Sequence, residues 1–362
     1  MRAGRTVAAR ASRAALTLAH PRVEHSGHGA PPRTRAGVVA LRVLVADAVA
    51  DNLSVEQATL APLGVQLDLS PSADEDTLVE QVADADAVLV TYARVSARVI
   101  AAAERCKVIA RYGIGYDNVD VTAASDAGIF VTNVPDYCLD EVADHALALL
   151  LALARGVLVA SARVREGAWP GGQGDIHRLR GRRLALIGVG AVGRRVAARA
   201  QAFGLTVTGF DPYLDPWDVP DVARARDLEE AVAEADFVSL HTPLTDVNRH
   251  MMGDELISLM RRSPVIINTA RGGLVDHDAL LTALEDGRLS GAALDVTEPE
   301  PLPADHPLRR DPRVVLTPHM AFYSLEAGEE LRRRAAEEVG RVLRGVAPEH
   351  AINRDAIDVA RG

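Results

Sequence analysis

Three side chains in the C-terminal half could hold an anion together and move a proton beside it. Arg271 follows the apolar run "PVIINTA", Glu300 lies in "LDVTEPEP", and His319 closes "VVLTPH". A guanidinium forks onto a carboxylate and polarises a carbonyl on the next carbon. An imidazole exchanges a proton near neutral pH, and a carboxylate beside it fixes its tautomer and raises its pKa. The set suits a substrate carrying a carboxylate and an oxygen on neighbouring carbons, such as a 2-oxo acid. Taken singly, each residue has a blander explanation. A histidine after Thr-Pro is often structural, Glu298 and Glu300 could form a solvated loop, and Arg271 could cap or pair locally. Their shared position at successive strand ends favours the joint reading. Gly272 and Gly273, behind Arg271, are then expected to leave space for ligand and cofactor.

Redox chemistry at such a centre needs a hydride carrier. Gly188, Gly190 and Gly193 in "RRLALIGVGAVGRRVA" have GxGxxG spacing, with an apolar strand before them and a helix opening through Val192 and Gly193. A second strand ends at Asp211, 23 residues after Gly188. In that context the glycines permit a tight turn, close approach of a pyrophosphate, and helix-on-strand packing. The helix N-terminus offers unpaired N–H groups to the anion. Asp211 would accept the ribose hydroxyls and repel a 2′-phosphate. The expected cofactor is NAD, although Arg194 and Arg195 nearby leave NADP open.

The elements that must position these groups follow a βαβ rhythm. Candidate strands cover 41–47, 65–69, 87–92, 107–112 and 129–135, then 183–190, 206–211, 237–243, 264–270, 291–296 and 314–319. Six strands in the second series suit a dinucleotide-binding sheet. One long helix is expected from about 139 to 166, and a charged amphipathic helix over 324–345. The fold class is α/β, with two doubly wound parallel-sheet domains.

Composition sets outer bounds. Of 362 residues, 48% are hydrophobic and 25% charged, ordinary for a globular chain. Lys107 is the only lysine, so no other position could form a Schiff base. Residues 1–40 hold seven arginines and one acid, and the remainder carries a net charge of −16. An acidic body argues against nucleic acid as a partner. Residues 1–40 are expected to be a disordered N-terminal extension. Two cysteines without a CxxC pair fit a cytoplasmic location. "ALALLLALA" (146–154) is too short to span a membrane and could lie in a subunit interface. No metal-ligand pattern is present.

The quoted motifs, with "RYGIGYDNVD", "INTARGGLVD" and "GAALDVTEPEP", resemble the D-isomer-specific 2-hydroxyacid dehydrogenases from about residue 41 to 350. "ARYGIGYDNVD" and "TPHMAFYS" are similar to the branch of the C-terminal binding proteins. The resemblance implies a flavodoxin-like catalytic domain over 41–138 plus 320–362, and a Rossmann NAD-binding domain over 139–319. It implies a homodimer, with the long helix contributing. Arg271 would bind the substrate carboxylate, His319 would be general acid/base, and Glu300 its partner. Asp295 would meet the nicotinamide carboxamide, while His241, Thr242, Thr269 and Ala270 would line the cofactor. The N–H groups of Ile114 and Gly115 would hold the substrate carboxylate. Arg111 would contact substrate and suggests a second polar or acidic end. Tyr92 and Phe322 would shape the pocket, Phe322 standing where that branch often has tryptophan. Ending near residue 362, the chain is expected to lack the regulatory domain appended to many phosphoglycerate dehydrogenases. The activity implied is an NAD-dependent 2-hydroxyacid dehydrogenase or 2-oxoacid reductase. Alternatives are an NAD(H)-sensing corepressor-like binding module, and oxidation of another small anion such as phosphite.

Overall fold

Parallel strands covered on both faces read as unbroken apolar runs, because neither face meets water. The computed structural model, which describes residues 40–47, 52–169 and 176–361 (without side chains for 358–361), shows this directly. The expected disordered extension lies outside the described residues except for Ala40. The first sheet contains β1 (Arg42–Val45), β2 (Gln66–Leu69), β3 (Ala87–Val90), β4 (Val108–Arg111) and β5 (Phe130–Thr132), in the order β2-β1-β3-β4-β5. The second contains β6 (Arg183–Ile187), β7 (Thr206–Phe210), β8 (Val222–Arg224), β9 (Phe237–Leu240), β10 (Val265–Asn268), β11 (Gly291–Leu294) and β12 (Val314–Leu316). Its order is β12-β11-β10-β9-β6-β7-β8. All pairings are parallel. The first order is the flavodoxin-like one. The second is a dinucleotide-binding order whose direction reverses between β6 and β9, where a crevice opens at the carboxyl ends.

Two elements differ from expectation. The second sheet has a seventh strand, β8, at its edge. Only Val222 of its three residues is buried, so the stretch carries no apolar period. The long helix expected over 139–166 breaks into Leu139–Ala154 and Val157–Arg165, bent by 61°. Gly156 supplies the break with φ +58, a left-handed conformation that stops a helix at little cost. The first half buries Ala143, Ala146, Leu147, Leu149 and Leu150, while the second buries nothing within the chain.

The chain returns to the first sheet at its end. Helix Leu325–Leu343 starts at Ser324, whose hydroxyl accepts the Ala327 N–H. Its buried face, including Leu331, Ala335 and Val339, joins Val43, Leu89 and Val108 in one core. Truncating a residue such as Leu331 to alanine costs about 2–5 kcal/mol. The same helix sends Arg332 to the fully buried Glu56, with contacts of 2.8 Å to Oε1 and 2.6 Å to Oε2. Tyr112 adds its hydroxyl to Glu56 Oε1 at 3.0 Å. The chain therefore crosses between lobes twice, before Leu139 and after His319.

Candidate active site

A cleft of about 560 Å³ lies at the carboxyl ends of both sheets, and Arg271, His319, Arg111 and Asp295 all line it. His319 Nδ1 is 2.8 Å from Glu300 Oε2. Glu300 Oε1 accepts the Thr297 N–H at 3.0 Å. Burial pushes the Glu300 carboxyl up, but the hydrogen bond and charge of His319 and the Thr297 N–H outweigh it, leaving the pKa below the ordinary glutamate value. An ionised carboxylate only accepts, so Nδ1 carries hydrogen and Nε2 is the nitrogen left to exchange a proton. Glu298, the other acid of the loop, turns away to Arg249 Nη1 at 2.6 Å.

The backbone at His319 has φ +49 and is pinned from several sides. Its N–H donates to the Asp295 carbonyl at 2.8 Å. The Asp295 carboxylate, at the end of β11, accepts the Met320 N–H (3.0 Å), the Ala321 N–H (2.9 Å) and the Thr317 hydroxyl (2.5 Å). Asp295 thus faces the cleft while holding the histidine turn, a task its position in "LDV" does not reveal.

Arg271 extends from the end of β10. Its Nε donates to Asp117 Oδ2 at 2.8 Å and its Nη1 to the Ala270 carbonyl at 2.7 Å. Nη2 lies 1.4 Å from where a Cβ on Gly115 would sit, and Arg111 Nη1 lies 1.3 Å from the same point on Gly113. The two glycines of "YGIGY" are therefore the floor for two guanidinium groups. The expectation for Gly272 and Gly273 needs correction. A Cβ on Gly272 would fall 2.1 Å from the Thr297 carbonyl, and one on Gly273 would fall 2.8 Å from Glu298 Oε2. Those glycines admit the loop that carries Glu300, rather than ligand.

Arg111 is the least satisfied charge in the cleft. Its Nε is buried without a partner, and among the described residues its guanidinium makes no ion pair. Burial, with the nearby charge of Arg271, holds its pKa below the usual guanidinium value despite Tyr137. Neither the Ile114 nor the Gly115 N–H donates to a described residue, while the Ile114 carbonyl accepts Asn133 Nδ2 at 2.7 Å. Tyr92 and Phe322 flank His319, with ring centroids 6.3 and 6.2 Å away. The Asp47 carboxylate accepts the Thr91, Tyr92 and Ala93 N–H groups at 2.5–3.0 Å and fixes the loop bearing Tyr92.

The other end of the cleft fits a dinucleotide. Gly188 has φ +92, and a Cβ there would strike the His241 carbonyl at 2.5 Å. A Cβ on Gly193 would strike the Gly188 carbonyl at 2.4 Å, so helix Ala191–Ala202 packs against the turn. Gly190 alone faces open space, at the N-terminus of that helix, where a pyrophosphate would lie. Asp211 ends the next strand with Oδ2 on the Val189 N–H at 2.9 Å, beside this turn. Thr269 Oγ1 is buried without a partner among described residues, and Val192, Thr242 and Ala270 line the same wall. His241 Nε2 sits 2.8 Å from Ser239 Oγ, and burial pushes its pKa down to about 4, so the ring is neutral. Arg194 is engaged by Asp218, and Arg195 by the Ala191 carbonyl and Asp140.

Pattern alone does not single out Asp117, His145 or Thr317. The first reads as a loop acid, the second as a core residue of an apolar helix, and the third as part of a Thr-Pro turn.

Residues 147–321 match the family described as "D-isomer specific 2-hydroxyacid dehydrogenase, NAD binding domain". A D-3-phosphoglycerate dehydrogenase of Methanocaldococcus jannaschii is 40% identical over 292 residues, 80% of this chain and 55% of that protein. The chain thus spans about half the length of that relative. A glyoxylate reductase of Korarchaeum cryptofilum is 38% identical over 288 residues, 78% of this chain and 87% of the relative. The solved D-lactate dehydrogenase of Aquifex aeolicus, complexed with NAD and lactic acid, superposes with a TM-score of 0.76 at 28% identity. It covers 84% of this chain and 96% of its own. The chain belongs to the D-isomer-specific 2-hydroxyacid dehydrogenase family, NAD-dependent oxidoreductases that act on a CH–OH group.

Proposed function

We propose that this chain interconverts a 2-oxo acid and its D-2-hydroxy acid, working mainly as a reductase. The glycine turn at 188–193 and Asp211 would hold NADH, which would supply a hydride to substrate C2. Arg271 grips the carboxylate and polarises the carbonyl, with the Ile114 and Gly115 N–H groups as further donors. His319 delivers its Nε2 proton to the oxygen that gains charge, and Glu300 holds Nδ1–H and stabilises the imidazolium. The observation that carries this reading is the 2.8 Å His319–Glu300 contact in a cleft that also holds Arg271.

The test is NADH oxidation by the purified chain against glyoxylate, pyruvate, hydroxypyruvate, phosphohydroxypyruvate and 2-oxoglutarate. Turnover with at least one, abolished in His319→Ala, is expected. NADH binding without turnover on any of them would instead leave a sensing module, which the dehydrogenase and reductase names of the relatives do not favour. Oxidation of another anion such as phosphite has no such support either.

The finer points rest on single features. Arg111, half-buried with its Nε unpartnered and no ion pair among the described residues, supports a substrate with a second acidic group, so a dicarboxylic or phosphorylated 2-oxo acid should show the lowest KM. Asp211, with Arg194 and Arg195 engaged elsewhere, supports NAD over NADP. Helix Val157–Arg165 exposes Val157, Leu158, Val159 and Val164, and this uncovered apolar face supports a homodimer, testable by light scattering. The two buried free thiols, Cys106 and Cys138, are compatible with a cytoplasmic location.

A further inference from the structure

We propose that His145 is a positioning residue for the proton transfer, acting on His319 through Thr317 and Asp295. His145 stands on helix Leu139–Ala154 and does not line the cleft. Its Nε2 lies 3.1 Å from Thr317 Oγ1 and 3.5 Å from Asp295 Oδ1. The threonine hydroxyl has one proton, and its 2.5 Å contact directs that proton to Asp295 Oδ1. What faces His145 is therefore an oxygen lone pair, so Nε2 must carry hydrogen and donate it.

The chain of contacts then runs into the catalytic turn. Asp295, 2% exposed, receives the Met320 and Ala321 N–H groups, and its carbonyl receives the His319 N–H. The left-handed backbone of a non-glycine residue costs of order 1–3 kcal/mol and persists only where its surroundings hold it. Here the Asp295 and Thr317 carbonyls hold the His319 N–H, the buried Asp295 carboxylate holds the two N–H groups that follow, and the carboxylate's hydroxyl partner is in turn oriented by His145. Removing the His145 donor frees Thr317 to rotate, loosens Asp295, and lets the His319 turn shift. A misplacement of about 1 Å at a reacting group can cost 10²-fold in rate. A histidine that merely filled the core would affect stability and cofactor binding instead.

This rests on His319 being the proton carrier, and the experiment separates the two ideas. His145→Leu, His145→Gln, Thr317→Val and His319→Ala are made in the full chain and assayed for NADH oxidation with glyoxylate. Leucine keeps bulk without a donor, whereas glutamine places an amide N–H near the Nε2 position. His145→Leu and Thr317→Val should each lower kcat about tenfold or more, with KM for NADH within about twofold. His145→Gln should recover most of the loss, and the Leu–Val double variant should lose no more than either alone. A fully active His145→Leu beside an inactive His319→Ala overturns the inference and leaves the proposed reaction standing. So does a loss in His145→Leu that follows melting temperature and NADH affinity and that glutamine does not restore. A fully active His319→Ala overturns the reaction itself.

Discussion

Arg271 lies across Gly115, with Nη2 in the space that a Cβ on that residue would need. Gly115 does not have a left-handed φ, so alanine is acceptable to the backbone there and the conflict falls mainly on the guanidinium, with Asp117 Oδ2 also close at 3.1 Å. Gly115→Ala should push Arg271 off Asp117 and lower kcat/KM for the 2-oxo acid on the order of 10²-fold. NADH affinity, read by fluorescence titration, should stay near wild type. Equal losses in both would mean that the arginine is not the group displaced.

The Glu300 carboxyl is held below its ordinary value of 4.5, with His319 as partner. A depressed carboxylate contributes its pairing above the unfolded value and loses it as pH falls through the folded one. Between pH 5 and 8 Glu300 should therefore not titrate, and any limb in kcat over that range belongs to another group. Glu300→Gln keeps an acceptor but removes the charge, and should lower kcat about tenfold or more. A pH–rate profile of both forms checks this; a wild-type limb that vanishes in Glu300→Gln and lies above pH 5 contradicts it.

Asp211 is the acid beside the glycine turn, and the two arginines of that turn's helix, Arg194 and Arg195, are engaged elsewhere. Hydrogen bonds to a charged group contribute about 1.5–3 kcal/mol, so Asp211→Ala should weaken NADH roughly 10- to 100-fold. NADPH, no longer repelled, should change far less. Paired titrations with the two nucleotides decide it, and an unchanged preference would place discrimination elsewhere.

Arg332 and Glu56 join the last long helix to the first lobe in a buried pair. Removing one partner leaves the other charged and desolvated, which costs about 3–5 kcal/mol. Arg332→Met should lower denaturant stability by that amount, whereas Arg332→Met with Glu56→Leu should recover much of it. Stability unchanged in the single variant would show the pair to be dispensable.

Much of this architecture is legible because parallel strands are continuous apolar runs and the glycine turn has one sequence form. β10 ends where "VIIN" ends, and Arg271 follows it as expected. β8 is not legible, since a three-residue edge strand with one buried side chain leaves no periodic trace. Nor is the bend at Gly156, because a glycine inside a helical pattern is tolerated as often as it terminates. At the site, residue types and strand-end positions point to Arg271 and His319, which line one cleft, and to Glu300, which contacts His319. The reasons for the glycines are not readable that way. Gly113 makes room for Arg111, two residues before it, while Gly115 and Gly272 make room for segments far apart in sequence, Arg271 and the loop at Thr297. Asp295, which the resemblance places against the nicotinamide, lines the cleft, and its hydrogen bonds to the turn at Thr317–Ala321 are not readable from its place in the motif.

Asp117 belongs to the first lobe and Arg271 to the second, and their 2.8 Å contact bridges the gap. The orientation of the anion-gripping arm is therefore not a property of either half alone. Asp117 braces the guanidinium from one lobe and the Ala270 carbonyl braces it from the other, so the grip on an anion is shared between the two.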